Sequence, residues 1–318
     1  MEKIRCPICN QNKFKHILTS KDNINHIKGN FNIVKCINCS LILTNPRPSL
    51  KEIKKYYPDN YQPYKTTFSK TAKIIFLKNK FNFFFNIINP KSTLDLNPKQ
   101  KKANILEIGC GAGNFLYEQK ILHPKWKIIG TDINQKSIDT LNKNKIRAFV
   151  SDLTILPVKS KSIDVVYGWM IIEHIHNLNQ AISEVHRVLK DNGKFSFSIP
   201  NINCWEYKFF NKNWYGLQLP THLYHFNQNT ITKLLKKNGF EMKKIIYQKT
   251  FANVFLSIKI VINNNRLPKF LKTFLSSIFN WNNVYYFLTL PIAMLLSTLK
   301  QSGRITIIAQ KIWNSKKI

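Results

Sequence analysis

Acidic residues are scarce: 16 Asp and Glu face 49 Lys and Arg, a formal net charge of +33 over 318 residues. That imbalance points towards nucleic acid or an anionic membrane surface as partner. Two observations weaken the nucleic-acid reading. No arginine-rich stripe and no nucleic-acid-binding motif is present. The surplus is mostly lysine, scattered along the chain beside abundant Asn and Ile, which is the mark an AT-rich coding sequence leaves without any binding role. The first ten residues lack the apolar run of a secretory signal, so the expected compartment is the cytoplasm. No internal repeat is visible, which excludes a repeat array. Global disorder is excluded too, because 44% of the residues are hydrophobic and can bury a real core. The length suits one large α/β domain with a small accessory module, or two medium domains.

Six cysteines in a reducing compartment point to metal or free thiols rather than disulfides. Cys110 and Cys204 stand apart. The other four form C-x2-C-x26-C-x2-C, from Cys6-Pro7-Ile8-Cys9 and Cys36-Ile37-Asn38-Cys39. A zinc ion wants four soft ligands in a tetrahedron, and each pair supplies two thiolates. A redox dithiol needs one pair in a thioredoxin-like context, which is missing. Residues 1–45 are therefore expected to be a zinc ribbon with a closed, structural site at Cys6, Cys9, Cys36 and Cys39. Metal binding would supply roughly 10 kcal/mol or more of its folding energy. His16 and His26 lie nearby and are not expected to be ligands.

From residue 103 to about 250, apolar strand-like runs alternate with helical segments, the order of a doubly wound parallel sheet. Predicted strands cover 104–109, 127–132, 146–150, 163–168, 194–199, 242–249 and 304–311. Predicted helices cover 114–122, 135–142, 178–189 and 230–238. Ligands of such folds sit at the carboxyl ends of the strands. There Glu107-Ile108-Gly109-Cys110-Gly111-Ala112-Gly113 reads as E-x-G-x-G-x-G. A dinucleotide fingerprint is excluded because its last glycine position is Asn114, and a Walker loop is excluded because no Gly-Lys-Ser/Thr follows. An acid before the loop repels a phosphate but suits a ligand carrying an amino group and a sulfonium. Asp132 ends the second strand, where a carboxylate can accept hydrogen bonds from ribose hydroxyls. Asp152, after the third strand, stands where an adenine amino group can be read.

On these motifs the chain resembles the class I S-adenosylmethionine-dependent methyltransferases over residues 102–249, with the final strand at 304–311. The resemblance implies a seven-stranded Rossmann-like sheet and S-adenosylmethionine as cofactor. It implies that Glu107, Gly109, Gly111 and Gly113 hold the methionine half of the cofactor. Asp132 would hold the ribose, with Ile133 beside the adenine, and Asp152 and Leu153 would flank the adenine. The run Asp164–Ile175 is similar to the family's fourth motif, whose strand end, at Met170, lies beside the reactive methyl. Where the family has a P-G-G turn this chain has Asp191-Asn192-Gly193. More narrowly, the cysteine pairs, Asn45-Pro46-Arg47-Pro48 with Tyr56-Tyr57, and Pro220–Phe226 together resemble a bacterial branch that pairs a zinc module with this domain in cell-surface glycan synthesis.

Methyl transfer is an in-line displacement, and a hydroxyl or carbon nucleophile also needs a base within reach. His174, His222 and His225, near strand ends, are the candidates, since imidazole titrates near working pH; each also suits a packing role. Glu173 is expected to cap the following helix. Residues 46–101 form a connector with lid helices, in which Ser49 and Glu52 make a capping box. Tyr56, Tyr57, Tyr61 and Tyr64 follow, either to stack on a substrate ring or to dock the zinc module. Within 102–318, the methyltransferase domain, residues 251–303 are an apolar helical insertion. A single membrane crossing there would strand 304–311 on the wrong side, so the insertion is a helical cap, a homodimer surface or a patch at the membrane interface. The expected acceptor is a small molecule or a sugar, free or carried on a nucleotide or lipid. Rival readings are an RNA-modifying methyltransferase and a non-catalytic S-adenosylmethionine-binding module. Gly168-Trp169-Met170-Ile171 after the fourth strand disfavours base methylation, so a nucleic-acid partner is not expected.

Overall fold

The computed structural model describes residues 1–58, 64, 68, 101–279 and 283–312. Among these the strands run β1 (Phe14–Lys21), β2 (Asn30–Cys36), β3 (Ile42–Thr44), β4 (Asn104–Ile108), β5 (Lys127–Asp132), β6 (Arg147–Val150), β7 (Ile163–Trp169), β8 (Leu189–Pro200), β9 (Tyr224–His225), β10 (Phe240–Tyr247) and β11 (Arg304–Lys311). The helices are α1 (Asn114–Leu122), α2 (Gln135–Lys143), α3 (Leu178–Val188), α4 (Trp205–Phe210), α5 (Gln228–Lys237), α6 (Ala252–Asn264), α7 (Lys269–Ile278) and α8 (Asn283–Thr298). Contacts divide the chain into two units: Met1–Tyr57 with Ile199–Ile231 and Ile246–Ile305, and Pro58–Ser198 with Thr232–Ile245 and Thr306–Ile318.

The second unit carries most of a seven-stranded sheet of order β10-β11-β8-β7-β4-β5-β6. β4 pairs in parallel with β5 and β7, β5 with β6, and β7 with β8. The first strand of the alternating region is thus central, because both its faces are covered and residues 105–108 are all buried. β8 begins earlier than its apolar run. Ile163 pairs with Leu189, and the register then jumps to Val165 with Lys194. The Asp191-Asn192-Gly193 turn is therefore a bulge within the strand, with Asn192 at φ 61°.

The first unit holds a four-stranded sheet of order β1-β2-β3-β9. β9, from far along the chain, pairs antiparallel with β3, Ile42 opposite His225 and Leu43 opposite Tyr224. Arg47 donates to the Tyr224 hydroxyl at 2.8 Å, and the Thr44 hydroxyl donates to the His222 carbonyl at 2.9 Å. Phe31, Ile33, Trp214, Leu217, Leu219 and Val254 form one core, joining ribbon strand to later helix. Trp214 Nε1 donates to the buried Glu206 carboxylate at 3.0 Å, so the indole is buried with its polar atom satisfied.

The capping box forms: Ser49 N donates to Glu52 Oε2 at 2.9 Å and Glu52 N to Ser49 Oγ at 3.4 Å. The helix it was expected to start is only a 3-10 turn, Ile53–Tyr56, because Tyr57 precedes Pro58 and is extended. Tyr56 packs edge-on to Phe31 of the ribbon. The lid helices expected across 46–101, and Tyr61, lie for the most part outside the described residues. Glu173 does not cap α3. Asn177 holds that position, and Glu173 is fully buried in the 3-10 turn Ile172–His174. Among the described residues, no helix is long and apolar enough to cross a membrane.

Candidate active site

The loop after β4 is shaped by backbone that side chains would obstruct. Gly109 and Gly113 sit at φ 63° and 73°, and a Cβ on Gly113 would lie 2.1 Å from Leu141 Cδ2. Only glycine combines that conformation with so close an approach, so the loop backbone turns tightly and packs against Leu141. Gly113 is also the N-cap of α1, so the amides of the first turn face the loop. Glu107 lies on β4 between Gly130 and Tyr167 on the neighbouring strands and is 3% exposed.

Asp132 fixes the loop from the side. Its Oδ2 accepts from Gly111 N at 2.8 Å, and its Oδ1 accepts from Asn134 N at 2.9 Å. Burial raises its carboxyl above the ordinary value, against the N–H groups of Asn134, Gly111 and Ile133, which favour the anion. Each oxygen keeps lone-pair capacity for a hydroxyl. Ile133, next in the chain, is 53% exposed, an apolar surface free for a flat ring.

Asp152 is exposed and turns back on its own loop, its Oδ1 accepting from Thr154 N at 3.0 Å. Leu153 is buried at φ 69°, and Met170 is half-buried at φ 53° with its N–H donated to Ser198 O at 2.9 Å. Left-handed backbone costs a residue with a side chain about 1–2 kcal/mol. Two residues read as cofactor-lining thus carry strain, which neighbouring structure must hold.

Sequence reasoning missed part of that support. Glu184 Oε2 accepts from Leu156 N at 2.7 Å, while Arg187 donates to Leu156 O at 2.9 Å, to Val158 O at 3.0 Å and to both Glu184 oxygens. The Arg187 hydrogen bonds hold the Glu184 carboxyl below its ordinary value. The pair clamps the loop carrying Asp152 and Leu153. Its signal was an acid and an arginine three apart on one helix. Tyr64 was also underread: burial together with the Asp132 charge pushes its hydroxyl up to about 12, against the Asn134 side-chain amide that donates to it. Phe115, Tyr167 and Trp169 pack on one another, with centroids 5.0–5.6 Å apart, beside the end of β7.

The three histidines fall in different settings. His174 is half-buried at the end of the 3-10 turn that follows β7. His222, in the first unit, places Nδ1 2.9 Å from Gly216 O. A carbonyl only accepts, so Nδ1 carries the proton and Nε2 is the basic nitrogen. His225 is enclosed in the first unit, its Nε2 3.5 Å from Thr44 Oγ1, and burial pulls it down to about 3. The unfolded chain takes that proton near the ordinary imidazole value of about 6.5. Between those values the unfolded state binds more protons, so stability should fall as pH drops from 6.5. Denaturant unfolding at pH 7.5 and pH 5 is expected to give a pH-dependent loss about 2 kcal/mol smaller in His225→Gln than in the parent.

The four cysteines of the ribbon converge. Cys6 and Cys39 sulfurs lie 3.3 Å apart, Cys9 and Cys36 sulfurs 3.5 Å, and all four fall within 4.8 Å of one another. All are free thiols. A tetrahedron with metal–sulfur bonds of about 2.3 Å has edges of about 3.8 Å, which this spacing fits. The two turns are equivalent. Asn10 and Ser40 N–H groups donate to the Cys6 and Cys36 carbonyls, and both residues are left-handed, at φ 59° and 68°. Burial raises the Cys6 and Cys39 thiols, so a cation is what would hold both as thiolates.

A profile for a methyltransferase domain matches residues 82–245. An uncharacterised protein of Methanocaldococcus jannaschii is 30% identical over 186 residues, covering 54% of this chain and 71% of that protein. A probable S-adenosylmethionine-dependent methyltransferase of Mycolicibacterium smegmatis is 30% identical over 145 residues, covering 44% and 52%. The tRNA N(3)-methylcytidine methyltransferase trm141 of Schizosaccharomyces pombe is 28% identical over 159 residues, covering 46% and 59%. The chain therefore spans between 52% and 71% of the length of these relatives.

Proposed function

The chain belongs to the methyltransferase-domain family, and on that premise we propose that it methylates a sugar or other small acceptor, free or carried on a nucleotide or lipid, in surface-glycan synthesis. Bound S-adenosylmethionine would supply a methyl group on a sulfonium, open to in-line attack. The observation that carries the reading is the left-handed glycine loop between a buried acid and a second acid that ties it down, Glu107, Gly109–Gly113 and Asp132. These residues suit a cationic methionine moiety and a ribose, as Ile133, Asp152, Leu153 and Met170 suit an adenine and the end of the methionine chain. The strands that carry them hold their ends in fixed register, which is what alignment of an in-line reaction requires.

His174 is our first choice of base, since it follows the strand that ends at Trp169. His222 is the second, because the Gly216 carbonyl fixes a tautomer with a basic Nε2. His225, enclosed and neutral, we assign to packing. We assign structural zinc to Cys6, Cys9, Cys36 and Cys39, supported by their spacing, and a cytoplasmic site of action. The ribbon and the aromatic segments Tyr56-Tyr57 and Pro220–Phe226 support the glycan branch by resemblance.

RNA as acceptor is the second reading, favoured by the net charge of +33 and by the S. pombe relative named for tRNA. The two part on one experiment. Zinc-loaded protein is incubated with radiolabelled S-adenosylmethionine and, in parallel, a panel of nucleotide sugars and a total tRNA fraction. Label on a nucleotide sugar supports the first reading. Label on tRNA alone replaces it with the second, and S-adenosylmethionine binding without transfer to any acceptor favours a non-catalytic module.

A further inference from the structure

The insertion between Phe251 and Gly303 carries five bases, Lys259, Arg266, Lys269, Lys272 and Lys300, and no acid. Helix α7 divides these charges from apolar surface. At 100° per residue, Lys269, Lys272, Thr273, Ser276 and Ser277 fall on one side, and Phe270, Phe274 and Ile278, spaced by four, fall on the other. The apolar side chains are bare: Phe270 is 76% exposed, Phe274 60% and Ile278 41%. On helix α8, Leu288, Ile292 and Leu295, with Leu299 just past its end, are each more than half exposed at spacings of four, three and four. Single exposed apolar residues are ordinary, but a run of them at helical spacing on each of two helices marks surfaces that something covers.

The charges say what covers them. An open groove between α6 and α7 is lined by Lys259, Asn263, Lys269, Lys272, Thr273 and Ser276, all donors able to meet an anionic oxygen. Lys272 also donates to Asn263 O at 2.9 Å, which holds the groove's two sides together. A second copy of the chain, meeting this face across a two-fold axis, would bring Lys259, Lys269 and Lys272 towards the same three lysines of its partner, with no acid of the insertion to offset them. An apolar side with a lysine-bearing polar side opposite it, and no acid, is instead the chemistry of a helix lying in the plane of a lipid surface.

We propose that this insertion docks on an anionic bilayer, with Phe270, Phe274 and Ile278 of α7 and the exposed leucines of α8 in the boundary between headgroups and acyl chains, and the lysines of the α6–α7 groove on lipid phosphates. This rests on surface chemistry alone and is independent of the acceptor and of cofactor binding.

Flotation of the full chain with vesicles tests it. The protein is expected to float with vesicles of phosphatidylcholine containing phosphatidylglycerol, to bind phosphatidylcholine alone far more weakly, and to be released by salt. The double variant Phe270→Ser, Phe274→Ser should lower binding about tenfold or more, and Lys269→Gln and Lys272→Gln about fivefold each. Phe270, Phe274 and Lys269 are exposed on α7 and Lys272 keeps only the Asn263 contact, so each variant should keep the parent's circular dichroism and S-adenosylmethionine affinity. Failure of the parent to float with the anionic vesicles overturns the proposal. So does sedimentation as a dimer that Phe274→Ser converts to monomer, since the face would then belong to a second copy. Loss of cofactor binding with flotation intact would touch the methyltransferase reading and leave this one standing.

Discussion

Asp132→Ala is expected to weaken S-adenosylmethionine binding on the order of 100-fold. The carboxylate holds Gly111 N and Asn134 N, one on each oxygen, and both amides lose a charged acceptor in the variant. Hydrogen bonds to a charged group are worth about 1.5–3 kcal/mol each, and part of that loss falls on the loop before any ligand arrives. The ribose hydroxyls would lose the same acceptor. Asp132→Asn keeps one carbonyl oxygen but turns an amide N–H towards a backbone N–H, so a loss of about tenfold is expected. Asp152→Ala should cost only a few-fold, because that carboxylate is exposed and already turned onto Thr154. Titration calorimetry on the three variants, with circular dichroism to confirm the fold, gives the ranking. Parent-like affinity in Asp132→Ala would remove the loop anchor from the account of the site.

What local pattern reveals, the sequence showed. Residues 104–108, 127–132 and 304–311 are apolar runs bounded by breakers, and they are strands. The amphipathic segments 114–122 and 135–143 are helices. The loop and its acids were legible because strand ends, glycines and carboxylates fall in a fixed order there. Contacts that join distant segments left no such mark. β9 is two residues long, too short for any periodicity, yet it completes the ribbon's sheet. Asp132 was readable as an acid at a strand end, but its hold on Gly111 depends on how two strand ends meet in space. The Glu184–Arg187 clamp escaped notice for the same reason, since its targets, Leu156 and Val158, lie 28 and 29 residues away. Glu173 misled because an acid before a helix resembles a cap; here the chain makes a separate 3-10 turn first and buries it.

The ribbon sets the second large expectation: purified protein should carry about one zinc per chain, and removing it should unfold more than the first 45 residues. Ligation is worth about 10 kcal/mol or more in small zinc modules, comparable to the whole stability of a typical domain, about 5–15 kcal/mol. The loss cannot stay local. β3 lends its edge to β9 through Ile42 and Leu43, and Phe31 and Ile33 of β2 share a core with Trp214, Leu217 and Val254. In Cys39→Ser, or after chelation, hydrogen exchange should therefore rise at 31–44 and also at 222–226. Cys204→Ser serves as the control, since that sulfur lies apart from the four ribbon thiols, buried in the shared core and accepting from Tyr207 N at the start of α4. It should keep the metal and cost far less. If chelation leaves exchange at 222–226 unchanged, the ribbon does not hold that strand and the zinc has no structural part in the first unit.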